Sequence, residues 1–312
     1  MAAIRTFPEK PQAILIAGPT ASGKSGAALD LARRLDGTVI NADSMQVYRE
    51  LSVLTARPSA REEAEVPHRL YGVVSAAEAY SAGRWLKDAA GAVSEAKEAG
   101  RLPVLVGGTG LYFKALTEGL APVPDIPPEI RAHWRAEAER IGPAALHGAL
   151  RARDPALAAR LVPTDPQRIV RALEVIDATG VSLAEWQSGT APAVLSPETV
   201  LKIIVAPERD TVYAAIDARF DRMLAEGALE EARALAELDL DPGLPAMRAH
   251  GVRELLGHLA GAVSLEEASA KAKTETRRYA KRQMTWARRF MADWTWVPGP
   301  QAAIETANAF VR

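Results

Sequence analysis

A three-layer α/β fold built on a mainly parallel sheet, with a helical insertion and further C-terminal helices, is what this sequence predicts. Two observations carry that reading: short uninterrupted apolar runs that end in glycine-rich turns, and helical periodicities in the segments between them. The first run, Ala13-Ile14-Leu15-Ile16-Ala17 before Gly18-Pro19, suits a strand buried on both faces. A helix follows, with Ala27, Leu31 and Leu35 at four-residue spacing and Gly37 as its stop. Thr38-Val39-Ile40 and Leu102-Pro103-Val104-Leu105-Val106 are the next strands, and Leu201-Lys202-Ile203-Ile204-Val205 is a fourth. Residues 121–128 (Ala-Pro-Val-Pro-Asp-Ile-Pro-Pro) form a rigid connector, because proline removes donors and fixes φ. Residues 129–189 read as helical throughout. Their clearest helix opens at Asp165-Pro166, repeats Ile169, Leu173 and Ile176, and closes at Gly180. A second proline-bearing linker, 190–197, leads back to the strand at 201, and the chain is helical again from about 211 to 291. The domain reading is therefore a core of 1–120 and 197–312, interrupted by an insertion of 121–196.

Composition narrows the function classes. The 312 residues hold no Cys, which excludes a disulfide framework, a cysteine zinc site and a thiol nucleophile. No segment approaches the roughly 20 apolar residues of a bilayer span, and the first ten residues lack the apolar run of a leader peptide. The expected compartment is the cytoplasm, with no membrane partner. Net charge is −1, so any nucleic-acid binding must come from local segregation of charge.

Gly18, Pro19, Thr20, Ala21, Ser22, Gly23, Lys24 and Ser25 fill every fixed position of the P-loop pattern, between a predicted strand and a predicted helix. The core is thus P-loop NTPase-like. Its glycines turn backbone N–H groups toward phosphate oxygens, the helix start adds partial positive charge, Lys24 adds a full one, and the Ser25 hydroxyl can ligate Mg²⁺. Many P-loop enzymes place a further acid at the end of another strand. Here the run Val104-Leu105-Val106 ends in Gly107-Gly108-Thr109-Gly110 without a carboxylate, and the acid instead follows Val39-Ile40-Asn41-Ala42 as Asp43. Strand C-termini converge on the ligand in such sheets, so Asp43 and Thr109 should both face the loop. The structural alternatives are a helix cap for Asp43 and turn chemistry for Thr109.

Local positive charge is visible in 271–290, which holds eight Lys or Arg against Glu275 alone. Lys273, Arg277, Lys281 and Arg288 fall on one helix face, with Arg278, Arg282 and Arg289 beside them and Tyr279 and Trp286 interleaved. A solvated face usually mixes signs, so phosphate-backbone binding is the favoured reading. On the insertion helix, Gln167 and Arg171 lie four apart on the face away from Ile169 and Ile176, suited to a base edge and a phosphate; the alternative is a cap plus a solvated arginine. The five histidines show no metal-ligand spacing.

Gly18 to Ser25, Asp43-Ser44-Met45-Gln46-Val47-Tyr48-Arg49, Thr55-Ala56-Arg57-Pro58, Gly107 to Tyr112 and Asp165 to Arg171 occur in that order. Together they closely resemble bacterial tRNA dimethylallyltransferases, the isopentenyl-diphosphate:tRNA transferase family, over nearly the whole chain. The resemblance implies transfer of a dimethylallyl group from dimethylallyl diphosphate to the exocyclic amine of the adenosine 3′ of the anticodon, with Mg²⁺ as cofactor and the tRNA anticodon stem-loop as partner. The P-loop then grips the donor's diphosphate, which explains the missing second acid. By the same resemblance Asp43 is the general base and Thr109 contacts the leaving diphosphate and lies among the RNA contacts. Asp43, Ser44, Met45 and Gln46 meet tRNA, as do Arg131, Gln167, Arg168, Ile169, Val170 and Arg171, and Arg248, Ala249, His250, Gly251, Val252 and Arg253. Departures are His68-Arg69-Leu70 where members often carry His-His-Leu, and Val252 where a Tyr usually follows the glycine. Arg219 can close over the diphosphate or stay a surface arginine paired with an acid. Arg278, Lys281 and Arg282 are expected on the RNA, and the enzyme is expected to be a monomer. The rivals are an ATP-dependent kinase of a small metabolite, a prenyltransferase of free adenine nucleotides, and a non-catalytic RNA-binding nucleotide switch.

Overall fold

A computed structural model describes residues 11–189 and 191–311. The first ten residues, Thr190 of the second linker and Arg312 lie outside the described residues. The chain forms two compact units, 1–117 with 194–312, and 118–193; the sequence reading placed the insertion at 121–196.

The larger unit is a six-stranded sheet, β1 (Ala13–Ala17), β2 (Gly37–Asn41), β3 (His68–Arg69), β4 (Leu102–Gly107), β5 (Val200–Val205) and β6 (Thr295–Val297), in the order β3-β2-β4-β1-β5-β6. Every pair is parallel; Ile14 faces Val104 on one side and Leu201 on the other. The four strands legible as apolar runs are the central ones. The edges β3 and β6 went unread because two or three residues carry no run.

The pleat sends alternate residues into two cores. Ile14 and Ile16 pack with Leu31, Val104, Val106 and Ile203 on one face, against α1 (Lys24–Arg34). Leu15, Leu105 and Ile204 pack on the other with Trp85, Tyr112 and Phe113. α2 (Ala60–Glu65) lies on the first face, where its Glu65 pairs with Arg33 of α1, and the second layer includes α3 (Ala82–Glu98) and α4 (Gly110–Glu118). Trp85 stacks on Tyr112 with centroids 4.1 Å apart and donates its indole N–H to the Asn41 carbonyl at 2.9 Å, tying the end of β2 to both helices.

The insertion contains α5 (Pro128–Arg153), α6 (Pro155–Ala158), α7 (Pro166–Thr179) and α8 (Leu183–Trp186). It buries its own core of Trp134, Leu146, Leu150, Leu157, Ile169 and Leu173. The expected cap is in place: Asp165 accepts from the Arg168 N–H at 3.2 Å, and Gly180 ends α7 in the left-handed region. Continuous helicity from 129 does not hold, because Gly142 breaks α5 with φ 74° ahead of Pro143, whose ring cannot sit in a helix interior.

The C-terminal part holds α9 (Arg209–Ala225), α10 (Ala228–Glu237), a 3₁₀ turn (Ala246–Arg248), α11 (Val252–Leu259), α12 (Leu265–Phe290) and α13 (Pro300–Val311). The last was not anticipated. Among the described residues no helix is long and apolar enough to cross a membrane.

Candidate active site

β1 ends at Ala17 and the chain turns through Gly18–Gly23 into α1. A Cβ on Gly18 would stand 2.5 Å from the Val205 carbonyl oxygen of β5, so only glycine lets the loop leave the strand there. Gly23 takes φ 82° and offers no side-chain cap, leaving the first amides of α1 to meet an anion. The Ser22 hydroxyl is buried inside the loop without a hydrogen-bond partner. Lys24 is only 9% exposed, and its ammonium donates to the Pro19 carbonyl at 3.0 Å. Burial lowers its pKa to about 8, against the raising effect of Asp43; Arg219 lowers it further. This loop therefore holds a partly uncompensated buried cation above open amides, a site made for an anion.

Arg219 is not a surface arginine paired with a neighbouring acid. From α9 its guanidinium donates to the Thr20 hydroxyl at the lip of the loop. Burial lowers its pKa while the charge of Asp43 opposes the shift.

Asp43 sits just past β2. Its N–H donates to the Asn41 side chain at 2.7 Å, and its carboxylate accepts from the Met45 N–H at 3.0 Å. That second bond is local turn chemistry rather than the helix cap weighed as the alternative, and it aims the carboxylate rather than consuming it, since a carboxylate offers further acceptor sites. Thr109 lies beside it: its hydroxyl accepts from the Ser44 N–H at 3.0 Å, and its own N–H donates to the Ala42 carbonyl. Gly107 makes that approach possible, since a Cβ there would overlap the Ala42 backbone at 2.0 Å.

A cavity joins the lip of the loop to Arg219 and Asp43. Thr20, Asp43 and Arg219 line it together with Leu54, Ile216, Phe220 and Met223, and with Met45, His250 and Tyr279. One part is thus polar and cationic, and the walls are apolar. The loop carrying Leu54 is held by a residue the sequence did not flag: Glu231 of α10 accepts from the N–H groups of Ser52, Val53 and Leu54 at 2.7, 2.7 and 2.8 Å. Nothing distinguishes Glu231 from other helix acids until the turn at 51–56 is seen folded around it. Gly251, at φ 92°, meets the same wall, as a Cβ there would lie 2.9 Å from the Phe220 ring.

His250 lies against Tyr279, centroids 4.5 Å apart. Burial and the charge of Arg282 lower its pKa, so it stands neutral beside the cavity. Tyr279 is pushed well above the ordinary phenol range by burial and by the charge of Asp43, and remains a hydroxyl donor.

Several expected RNA contacts have other duties. Ile169, Ala249 and Val252 are buried, at 0, 2 and 0% exposure, so their side chains present no surface to a partner. The Gln46 amide donates to the Thr55 and Ala56 carbonyls at 2.9 Å each. On α12, Lys273 pairs with Asp221 at 2.6 Å and Arg277 with Asp217 at 2.7 Å, so half of the basic face read from the spacing is spent on α9. Arg278 pairs with Glu275 at 2.6 Å. Lys281, Arg282, Arg288 and Arg289 remain exposed, Arg282 with its guanidinium 5.7 Å from the Tyr279 ring centre. Arg248 and Arg253 are exposed at the two ends of the 248–253 segment. Within the insertion, Gln167 and Arg168 are exposed, Val170 is half-buried, and Arg171 lies 3.6 Å from Glu174. Arg131 is half-buried with its Nε unpartnered.

Residues 46–290 match a family model described as IPP transferase. The tRNA dimethylallyltransferase of Nitrobacter hamburgensis is 57% identical over 290 residues, 93% of this chain and 92% of that protein. That of Rhodopseudomonas palustris is 55% identical over 303 residues, covering 97% and 93%. Among solved structures, the full-length tRNA isopentenylpyrophosphate transferase of Bacillus halodurans is 37% identical with a TM-score of 0.68, covering 96% of this chain and 95% of that one. A eukaryotic dimethylallyltransferase acting on tRNA is 29% identical with a TM-score of 0.75, covering 88% and 69%. By the extent of these matches, the chain belongs to the IPP transferase family.

Proposed function

We propose that this chain transfers a dimethylallyl group from dimethylallyl diphosphate to the exocyclic N6 amine of the adenosine immediately 3′ of the anticodon in tRNA, releasing diphosphate. The observation that carries the reading is the single cavity: the P-loop lip and Arg219, Asp43, and walls of Leu54, Ile216, Phe220 and Met223 meet in one space. A polyphosphate headgroup, a short hydrocarbon and a weakly basic amine each find a complementary surface there.

In the reaction the amine nitrogen bonds to the allylic carbon as the carbon–oxygen bond to diphosphate breaks. The adenine lone pair is delocalised into the ring, so nucleophilicity depends on removing a proton as the bond forms. Asp43 accepts that N–H proton, a contribution of about 10²–10⁴-fold for general-base catalysis. Negative charge collects on the departing oxygens, where Lys24, the open amides of the P-loop and Arg219 are aimed. Thr109, whose hydroxyl accepts from the Ser44 N–H, is read as a contact to the leaving diphosphate.

Mg²⁺ fits this donor set. Among the described residues no cluster of three or more acidic or histidine side chains can cage a metal, and Ser25, exposed in the first turn of α1, offers one hydroxyl. That suits an ion held by one hydroxyl, the substrate's phosphates and water. Bound there, it supplies Lewis-acid stabilisation of the leaving diphosphate.

The exposed cations Lys281, Arg282, Arg248 and Arg253, with Gln167, Arg168 and Arg171 of the insertion, are read as the stem-loop contacts. The target base is drawn out of its stack to reach Asp43, at a cost of a few kcal/mol. The enzyme is expected to act as a monomer in the cytoplasm, where its tRNA substrate resides.

The test is incubation with an unmodified anticodon stem-loop, Mg²⁺ and either dimethylallyl diphosphate or ATP, followed by mass measurement of the RNA. The reading predicts one added dimethylallyl group with the first donor and none with ATP. Turnover of ATP with the prenyl donor ignored would instead mark a kinase.

A further inference from the structure

Gln283, in the second half of α12, joins the two loops of the site. Its Oε1 accepts from the Thr20 backbone N–H at 2.9 Å, and its Nε2 donates to the Gly108 carbonyl at 2.9 Å. These partners are 263 and 175 residues away in sequence. Thr20 is the residue whose hydroxyl receives Arg219. Gly108 precedes Thr109, which holds Ser44 next to Asp43. Tyr279, one turn earlier on α12, stands near both Gln283 and Thr109, which oppose the rise of its pKa.

The fit around the amide is tight. A Cβ on Gly108 would lie 2.1 Å from the Gln283 nitrogen and 3.2 Å from an Asp43 carboxylate oxygen, so a bare backbone is required where they meet. One turn further along, the Trp286 ring occupies the space a Cβ on Gly110 would need, at 2.2 Å. A primary amide accepts from an N–H through its oxygen and donates to a carbonyl through its nitrogen at once, which neither an ionised carboxylate nor a thioether can do. A carboxylate would set oxygen against the Gly108 oxygen, and a thioether would leave both backbone groups unpaired.

We infer that Gln283 is a positioning residue that locks the phosphate-cradling loop to the loop carrying Thr109 and, through Ser44, Asp43. The donor's carbon and the proton-accepting carboxylate are then held in one frame set by α12. Misplacement of reacting groups by about 1 Å costs on the order of 10²-fold in rate, so the clamp acts on turnover rather than on either substrate's grip. This rests on the transfer reaction proposed above.

The experiment compares Gln283→Glu, which keeps the shape, with Gln283→Met and Gly108→Ala. Steady-state transfer is read beside direct binding of inorganic pyrophosphate and of the stem-loop. Each variant should lose about 30–100-fold in kcat, in line with such misplacement, while pyrophosphate and stem-loop affinities change less than about threefold. Gln283→Met combined with Gly108→Ala should be no slower than the slower of the two alone, since both break the Gln283–Gly108 contact. Unchanged kcat, a loss lying wholly in affinity, or multiplicative costs in the double variant would overturn the proposal. Should the wild-type protein transfer nothing, the substrate reading fails, and the clamp is judged by hydrogen exchange at the Thr20 amide. Faster exchange in Gln283→Met than in wild type supports it, and equal exchange refutes it.

Discussion

Lys24 shows how a single residue can trade stability for binding. Its ammonium is buried, has one carbonyl for a protein partner, and has a pKa lowered to about 8. Between about pH 8 and the unfolded value of 10.5 the unfolded chain binds more protons, so the ligand-free protein gains stability as pH rises through that window. At pH 7 the charged, desolvated form is held at a cost. Lys24→Met should therefore raise the melting temperature at pH 7 by roughly 2–8 °C, with the gain fading toward pH 10.5. The same variant should lose the thermal shift that pyrophosphate gives the wild type. Thermal melts across pH, with and without pyrophosphate, check both statements, and a lowered melting temperature at pH 7 would reverse the sign argued here. Arg219→Gln should weaken pyrophosphate binding about 10-fold or more, the scale of one charge-assisted hydrogen bond, and calorimetry reads it. At this scale the P-loop was legible because its spacing is a pattern. Gln283 and Glu231 were not, because each is an ordinary helix residue whose partners lie far away in sequence.

At the scale of elements, α12 divides its work along its length. Its first half is bound to α9 through Lys273 with Asp221 and Arg277 with Asp217, and its second half leaves Lys281 and Arg282 exposed. Charge reversal should separate the two roles. Lys281→Glu with Arg282→Glu should weaken stem-loop binding and lessen the salt slope by about one for each phosphate no longer neutralised, leaving the melting temperature within about 2 °C, as surface changes do. Arg277→Glu places like charges beside Asp217 and should lower the melting temperature by several degrees, with RNA affinity falling less than in the first pair. Titrations at several salt concentrations, with melts, distinguish these outcomes. Periodicity located the helix and its basic face, yet it could not show that Asp217 and Asp221, on another helix, neutralise half of it. Short elements failed for a related reason: β3 is His68–Arg69, and its pairing with Val39 and Ile40 exists only in three dimensions.

At the scale of the molecule, the insertion has its own buried core, and its connecting segments are stitched together. Leu120 accepts from the Ala191 N–H at 3.0 Å, and Leu116 accepts from the N–H groups of Val194 and Leu195 at 3.0 Å. Replacing 118–193 by a short flexible linker should therefore leave a core that folds and still binds pyrophosphate, while stem-loop affinity falls at least about 10-fold because the insertion's arginines go with it. Calorimetry on the excised protein checks it. The layered sheet was legible as a whole because parallel strands buried on both faces read as continuous apolar runs. The cavity was not, since α9, α12, the segment at 249–250 and the turn at 51–56 contribute its walls from separate stretches of chain. The proposed activity comes down to proton removal by Asp43 across from a held diphosphate, and the rate of transfer by Asp43→Asn in a single turnover tests it most directly. The variant should bind donor and stem-loop as the wild type does and transfer about 10²–10⁴-fold more slowly; a wild-type rate, or a fall in rate fully matched by weaker binding, would contradict the account.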